Sequence, residues 1–207
     1  MKKNISCIIL ISIFNLSIIG QFDFSAFKEE VTNFQKELND QYSDTTHSPL
    51  TKKDIITFKG HDFFDANPVF SVTAKFKKCK NQQAFEMKTT TSRKPSYKKY
   101  GEIKFKINGK KFKLNIYQNQ RLIKSKVYAD HLFLPFTDLT NGDESYGGGR
   151  YIDLTIPKSN TLAIDFNKAY NPYCCYNPKY SCPIPPKENH LNIKITAGVK
   201  AFEGGNH

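Results

Sequence analysis

Apolar side chains near the start of the chain predict one amphipathic helix. They recur at three- and four-residue spacing, at Phe24, Phe27, Val31, Phe34, Leu38 and Tyr42. This spacing places them on one face of a helix, while charged residues occupy the other faces. Pro49 follows at a point where a proline cannot continue the helix. We expect the helix to pack on a sheet.

From about residue 54 the pattern changes to the alternation of apolar and polar positions that is typical of strands. It is clearest in the segment GEIKFKINGKKFKLNIY, where Asn108-Gly109 separates two alternating runs. Both residues readily adopt the positive φ angles of a two-residue hairpin turn. A turn of this length pairs Phe105 with Phe112, so both strands should bury the same face.

Similar alternation predicts several further short strands. They are expected at Ile55–Phe58, Val69–Lys77, Ala84–Thr90, His131–Phe136, Arg150–Ile156, Thr161–Phe166 and Leu191–Thr196. Many short strands separated by turn-rich segments favour a mainly β fold, an antiparallel barrel or sandwich with the N-terminal α-helix packed on it. The length of 207 residues suits a single domain, here residues 21–203, followed by a loose tail at 204–207.

The first twenty residues predict a cleaved signal peptide. Lys2 and Lys3 precede a mostly apolar run from Ile5 to Ile19, and Gly20 offers a small residue at the cleavage point. A membrane anchor is the alternative, but the run is short for a bilayer and no basic stop-transfer cluster follows it. We therefore expect an exported protein, periplasmic or secreted, without stable membrane insertion after cleavage.

The chain is basic, with 31 Lys and Arg against 19 Asp and Glu and a net charge of +12. A basic balance can indicate nucleic acid or another polyanion as a partner. Here, however, the lysines are spread along the chain, many at alternating strand positions such as Lys104 and Lys106. This arrangement is typical of a solvated strand face that discourages edge pairing. We predict no nucleic-acid partner.

Polar side chains that could bind a ligand concentrate between residues 134 and 198. The candidates are Arg150, Asp153, Asp165, Asn167, Tyr170, Asn171, Glu188 and Asn189. Part of this region is a long loop, Asn167–His190, that contains five of the ten prolines. Loops of this length are usually functional or disordered. The three glycines of Gly147–Gly149 predict a bulge or a tight turn into the next strand.

The charged candidates allow two interpretations. Arg150 could form a buried ion-pair network with Asp153 and Asp165 that fixes the base of the loop. Alternatively, Arg150 could bind an anionic group in a polar pocket where a carboxylate serves as acid or base. We favour the structural network, because ion-pair networks resemble active sites in their composition.

The cysteines of the loop favour a disulfide. In an oxidising compartment, Cys174 and Cys182 would close a loop of about nine residues and stabilise the fold by roughly 2–3 kcal/mol. Inert thiols come second. A metal site using these cysteines with Glu188 or His190 comes third, because the spacing fits no standard zinc pattern. We predict no metal and no cofactor.

Several long motifs resemble a known family. They are FFDANPVFSVTAKF, YGEIKFKING, PFTDLTNGDESYGGGRYIDL, DFNKAYNPYCCY and CPIPPKENHLNIKITAG. They are similar to motifs of the bacterial and archaeal family called domain of unknown function 1684. Cys175 departs from the family, which more often has alanine there, and Val199 stands where the family typically has Glu. The resemblance implies no particular activity, because the family has none established.

Two functions of different class follow from these observations. One is a binding module whose pocket, built by residues 134–198, holds a small polar ligand or an envelope component. The other is a hydrolytic enzyme that uses Asp153, Asp165 or Glu188 together with Arg150 in the same pocket. An enzyme requires an accessible cleft with converging groups, whereas a structural cluster would be closed and mutually paired.

Overall fold

The computed structural model describes residues 22–203. The predicted signal peptide, residues 1–20, and the predicted loose tail, residues 204–207, lie outside the described residues. The helices are α1 (Phe24–Ser43) and α2 (Asp54–Thr57). The strands are β1 (Ser71–Lys78), β2 (Phe85–Glu86), β3 (Ser96–Ile107), β4 (Lys110–Asn119), β5 (His131–Asp138), β6 (Arg150–Thr155), β7 (Thr161–Asp165) and β8 (His190–Leu191).

The strands form one curled sheet, a half-barrel, in the order β6-β5-β4-β3-β1-β7. β2 adds to β3, and β8 pairs with β5 in parallel, while the other strand pairs are antiparallel. This arrangement confirms the mainly β, antiparallel class with an N-terminal helix. Within residues 22–203, β6 and β7 end the strand path without pairing with each other, so the sheet is open on this side.

The hairpin predicted at the centre of the sheet is confirmed. Phe105 lies opposite Phe112 in the β3–β4 register, and their ring centroids are 5.9 Å apart. Asn108 and Gly109 have φ angles of 48° and 77°. The turn therefore has the backbone twist that joins two antiparallel strands directly.

The predicted amphipathic helix is confirmed as α1. Asp23 caps its N-terminus by accepting hydrogen bonds from the backbone N–H groups of Ser25 and Ala26 at 2.9 and 3.0 Å. The helix buries four residues of the predicted apolar face, including Val31 and Tyr42, which are each 1% exposed, whereas Phe24 at its start is 52% exposed. It packs against the loop after β7, and a cavity lies between it and the aromatic side of the sheet.

Both faces of the central strands are covered, and they carry different side chains. One face contributes to an aliphatic and phenylalanine core that includes Ile103, Leu114, Leu134 and Ile164. The other face carries a smaller aromatic cluster of Met87, Tyr97, Tyr117, Phe133 and Tyr151. Because side chains alternate along a strand, β5 and β6 contribute to both clusters.

Three predicted strands differ in the structure. Ile55–Phe58 is wrong, because residues 54–57 form α2, where the backbone N–H of Asp54 donates to the hydroxyl of Thr51 at 3.1 Å. Ala84–Thr90 shortens to Phe85–Glu86. Leu191–Thr196 is a strand only at Leu191, the last residue of β8. After Leu191, backbone groups of residues 195–199 form hydrogen bonds with the side chains of Asp138 and Arg150.

The glycine run before β6 forms the tight turn predicted for it. Gly149 has a φ angle of 86°, which L-residues rarely adopt. A Cβ atom there would lie 2.6 Å from the carbonyl oxygen of Phe136. Glycine is therefore required at this position both by conformation and by the closeness of β5.

Candidate functional site

Arg150, at the start of β6, is a structural residue in this fold. Its side chain is 0% exposed, and Nη2 lies 2.8 Å from Oδ2 of Asp138. The guanidinium also donates to the carbonyl oxygens of Ala197 at 2.5 Å, Ile195 at 2.8 Å and Val199 at 3.3 Å. Arg150 thus holds the segment that follows β8 and replaces the strand partner which this segment lacks.

A buried ion pair of the kind favoured from the sequence is present, but the carboxylate differs from those expected. Asp138 is the partner of Arg150, and neither Asp153 nor Asp165 contacts the guanidinium. The reason is the side-chain alternation of strands: residues 150 and 153 are separated by an odd number of positions and lie on opposite faces of β6. Asp138 lies on the same face as Phe136, whose register partner is Arg150.

Asp153 lies on the aromatic face and forms a polar cluster there. Its Oδ1 is 2.9 Å from Nε2 of His131, and its Oδ2 accepts a hydrogen bond from the Tyr170 hydroxyl at 2.7 Å. The side chain of Asp153 is 51% exposed. Burial, followed by the neighbouring carboxylate of Asp153, raises the pKa of Tyr170 well above its ordinary value, so the phenol stays protonated.

This polar cluster lies at the edge of a cavity of about 500 Å³ between α1, the sheet and the loop after β7. We call this cavity the aromatic pocket. It is lined by Phe34, Leu38, Gln41, Tyr42, Tyr97, Leu122, Tyr128, His131, Phe133, Tyr151, Asp153, Tyr170, Pro172, Tyr173, Cys182 and Pro183. Its volume falls in the range of small-molecule sites, which are mostly apolar with a few placed polar groups.

The walls of the aromatic pocket are fixed by edge-to-face ring contacts. The rings of Phe133 and Tyr151 are 4.7 Å apart, and those of Tyr151 and Tyr170 are 6.0 Å apart, both in T-shaped geometry. The Tyr151 hydroxyl also donates a hydrogen bond to the carbonyl oxygen of Pro183. Such contacts restrain each ring and leave a preformed cavity.

Asp165 and Asn167 stabilise the backbone around the end of β7. Asp165 accepts from the backbone N–H of Asn167 at 3.0 Å and from its side-chain amide at 2.7 Å. The Asn167 side chain in turn pairs with both backbone groups of Asn67. Asp165 also lines a cleft of about 690 Å³ that adjoins the aromatic pocket and includes Asp153.

The remaining amides have similar structural roles. Asn189 is fully buried, accepts from the Asn115 backbone N–H, and donates to the Asn115 and Pro135 carbonyls. Asn171 is also fully buried and donates to the carbonyl of Lys200. Glu188 is exposed. Of the eight sequence-predicted site residues, Asp153 and Tyr170 line the aromatic pocket.

Cys174 and Cys182 are neighbours, as the proposed pairing requires. No disulfide joins the described cysteines in this structure, and the backbone N–H of Cys174 donates to Sγ of Cys182 at 3.2 Å. The hydrogen bond from the Cys182 thiol lowers the pKa of Cys174 and raises that of Cys182, so the first thiolate forms on Cys174. The disulfide itself stays a prediction.

Other described features bear on what the protein can bind. Lys75, Lys104 and Lys113 lie opposite one another across β1, β3 and β4 and are exposed, as the alternation predicts.

Within residues 22–203, no group of three or more His, Cys, Asp or Glu side chains is arranged to hold a metal ion. In that same range, no helix is long and apolar enough to cross a bilayer.

Several pocket residues were missed from the sequence. His131 and Phe133 alternate with the core-facing residues of β5, a local signal that could have been used. Tyr97 on β3 and the α1 residues are brought in only by the tertiary fold. Their distance along the chain from Asp153 leaves no local pattern that predicts the pocket.

Comparison with known proteins agrees with this fold. The chain is similar to the solution NMR structure of an uncharacterized protein from gene locus rrnAC0354 of Haloarcula marismortui. That likeness has 27% sequence identity and a TM-score of 0.67, and covers 87% of this chain and 97% of the other. The search of curated proteins gave no significant match.

The fold and the pocket thus define a half-barrel protein with a candidate ligand cavity on the aromatic side of its sheet. Residues 56–200 match the family described as Protein of unknown function (DUF1684). The chain belongs to this family, as its motifs suggested.

Proposed function

We propose that this protein is an exported binding module that takes a small ligand with a polar group into the aromatic pocket. The observation that carries the proposal is the cavity of about 500 Å³, with aromatic walls and one polar cluster at its edge. Concave, mostly apolar cavities with few polar groups are the usual form of small-molecule sites. A flat partner surface would not fill such a cavity, so we favour a small ligand over an envelope protein.

Hydrolysis with Arg150 is not part of this proposal. The guanidinium is fully buried and paired with Asp138, so it is not available to bind an anionic group of a substrate. His131 and Asp153 face the aromatic pocket, but a nucleophile is needed beside such a pair for covalent catalysis. Cys182 lines the same pocket, but the hydrogen bond to Cys174 and burial raise its pKa, which disfavours the nucleophilic thiolate, and in the expected disulfide its sulfur would be bonded to Cys174.

The binding proposal can be tested by filling the pocket. Leu122 lines it from a half-buried position outside the core clusters, so Leu122→Trp should occlude the cavity while the fold is kept. The matched control is Val127→Trp, at a residue that is 78% exposed and does not line the pocket.

The readout is a screen of water-soluble fragments by protein NMR with both variants and the wild type. We expect fragments to shift signals of the lining residues in the wild type and in Val127→Trp, and to have no effect in Leu122→Trp. Fragments that bind Leu122→Trp as well as the wild type, or no binding fragment at all, would refute the proposal.

Export is the second part of the proposal and is supported by the basic and apolar pattern of residues 1–20. Expression of the full chain in its native cells should yield a mature form whose N-terminus lies near residue 21. Mass determination of protein from the envelope and the medium checks this. Recovery of the uncleaved chain from the cytosol would contradict it.

A further inference from the structure

The aromatic pocket has an unusual charge for this protein. The chain carries 31 Lys and Arg, yet, within residues 22–203, none of the sixteen residues that line the pocket is Lys or Arg. Lys168 lines the adjoining cleft, but its ammonium is paired with Glu30 at 2.5 Å. Among the described lining residues, Asp153 is the one carboxylate. The pocket is therefore unsuited to an anion and suited to a positive charge.

The aromatic rings favour the same kind of ligand. Eight of the sixteen lining residues are Tyr or Phe. The face of an aromatic ring carries partial negative charge and attracts ammonium groups within about 6 Å of its centroid. Burial raises the pKa of Tyr151 far above its ordinary value, so its phenol stays neutral and offers the ligand an uncharged ring.

Asp153 retains capacity to accept from a ligand. A carboxylate has about four acceptor positions. One oxygen of Asp153 is used by His131 and the other by Tyr170, and the side chain is half exposed. These two contacts fix the orientation of the carboxylate and leave its remaining lone pairs available at the pocket edge.

From these three observations we propose that the aromatic pocket binds an organic cation, an ammonium group that carries apolar substituents. The alkyl groups pack on the tyrosine and phenylalanine rings, and the positive charge lies near Asp153. This inference rests on the proposed binding function and specifies its ligand class.

The test compares choline with 3,3-dimethylbutan-1-ol, a neutral molecule of nearly the same shape, by calorimetry or NMR titration at pH 8. We expect choline to bind at least about tenfold more tightly than the neutral molecule, because both the ring faces and the carboxylate attract its positive charge.

Two variants examine the contacts separately. Asp153→Asn should weaken choline binding about tenfold and leave the neutral molecule unaffected, whereas Asp65→Asn, at an exposed carboxylate outside the pocket, should change neither. Tyr128→Leu removes a ring that is 46% exposed, so it should weaken choline binding without unfolding the protein.

The outcomes separate this inference from the binding proposal. If both probes bind equally and Leu122→Trp abolishes both, the pocket is a ligand site but the preference for a cation is wrong. If other fragments bind there and choline does not, the inference is again wrong. If nothing binds in the pocket, the binding proposal fails together with the inference.

Discussion

Replacement of Asp138 should be among the most destabilising single changes in this protein. Its carboxylate accepts from Arg150 at 2.8 Å and from the Thr140 hydroxyl and backbone N–H at 2.7 and 2.9 Å. It also accepts from the backbone N–H of Ile195 at 3.1 Å. Asp138→Asn keeps the shape but removes the charge, which leaves the guanidinium buried without a counterion.

The magnitude follows from the burial of both partners, whose side chains are each 0% exposed. Removing one partner of a buried pair costs about 3–5 kcal/mol. For a domain of this size, 1 kcal/mol shifts the melting temperature by about 2–4 °C. We therefore expect Asp138→Asn to lower the melting temperature by roughly 6–20 °C. Urea unfolding followed by circular dichroism measures the free-energy change directly.

Two comparisons identify the cause. Asp143→Asn changes a carboxylate that is 73% exposed, beside Lys194, and should alter stability by less than about 0.5 kcal/mol. The double variant Asp138→Asn with Arg150→Met should cost about 1–3 kcal/mol less than the sum of the single changes, because the two side chains interact. A loss below about 1 kcal/mol for Asp138→Asn, or strict additivity, would refute the assignment.

The other predictions concern the cysteine pair and a buried histidine. Protein purified without reductant should have an intact mass about 2 Da below the reduced value; Cys174→Ser or Cys182→Ser should abolish this difference and Cys79→Ser should not. Fully alkylatable thiols in wild-type protein would contradict the pairing. Burial lowers the pKa of His61 to about 4, whereas its ordinary value of about 6.5 applies when the chain is unfolded. The folded state therefore binds fewer protons, and the contribution of His61 to stability is lost as the pH falls from about 6.5 to 4. Urea unfolding at several pH values in this range should show that the free energy of unfolding depends less on pH in His61→Gln than in the wild type. The same pH dependence in both proteins would contradict the assignment.

Local sequence patterns were sufficient to predict the β3–β4 hairpin and helix α1. The hairpin of β3 and β4 combines a turn that requires positive φ with alternation on both sides, and these signals agree on one register. Helix α1 has a stripe of more than five turns, long enough to specify one face. In contrast, the three apolar positions around Ile55 are too few to distinguish a strand from a helical turn, and residues 54–57 form the short helix α2.

The site was harder to predict, because its residues meet only in the folded chain. Alternation alone already separates Arg150 from Asp153, since an odd spacing places them on opposite faces of β6. Asp138 as the partner of Arg150 depends on the register of β5 with β6, which no local pattern provides. Tyr97 and Phe34 reach the aromatic pocket through β3 and α1, far from the motifs of the loop.

In the structure, the long motifs between residues 134 and 198 mainly hold the backbone of this region in place. Most of their polar side chains bind backbone: Arg150 holds residues 195–199, Asn189 joins the loop to β4 and β5, and Asn167 holds the chain before β1. These hydrogen bonds satisfy backbone N–H and C=O groups of a long irregular segment, which could not otherwise be buried. That segment supplies one wall of the aromatic pocket, including Tyr173 and Cys182. Changes in these polar residues should therefore reduce ligand binding through the position of the loop, whereas Asp153→Asn, at a half-exposed side chain, should reduce binding with a smaller loss of stability.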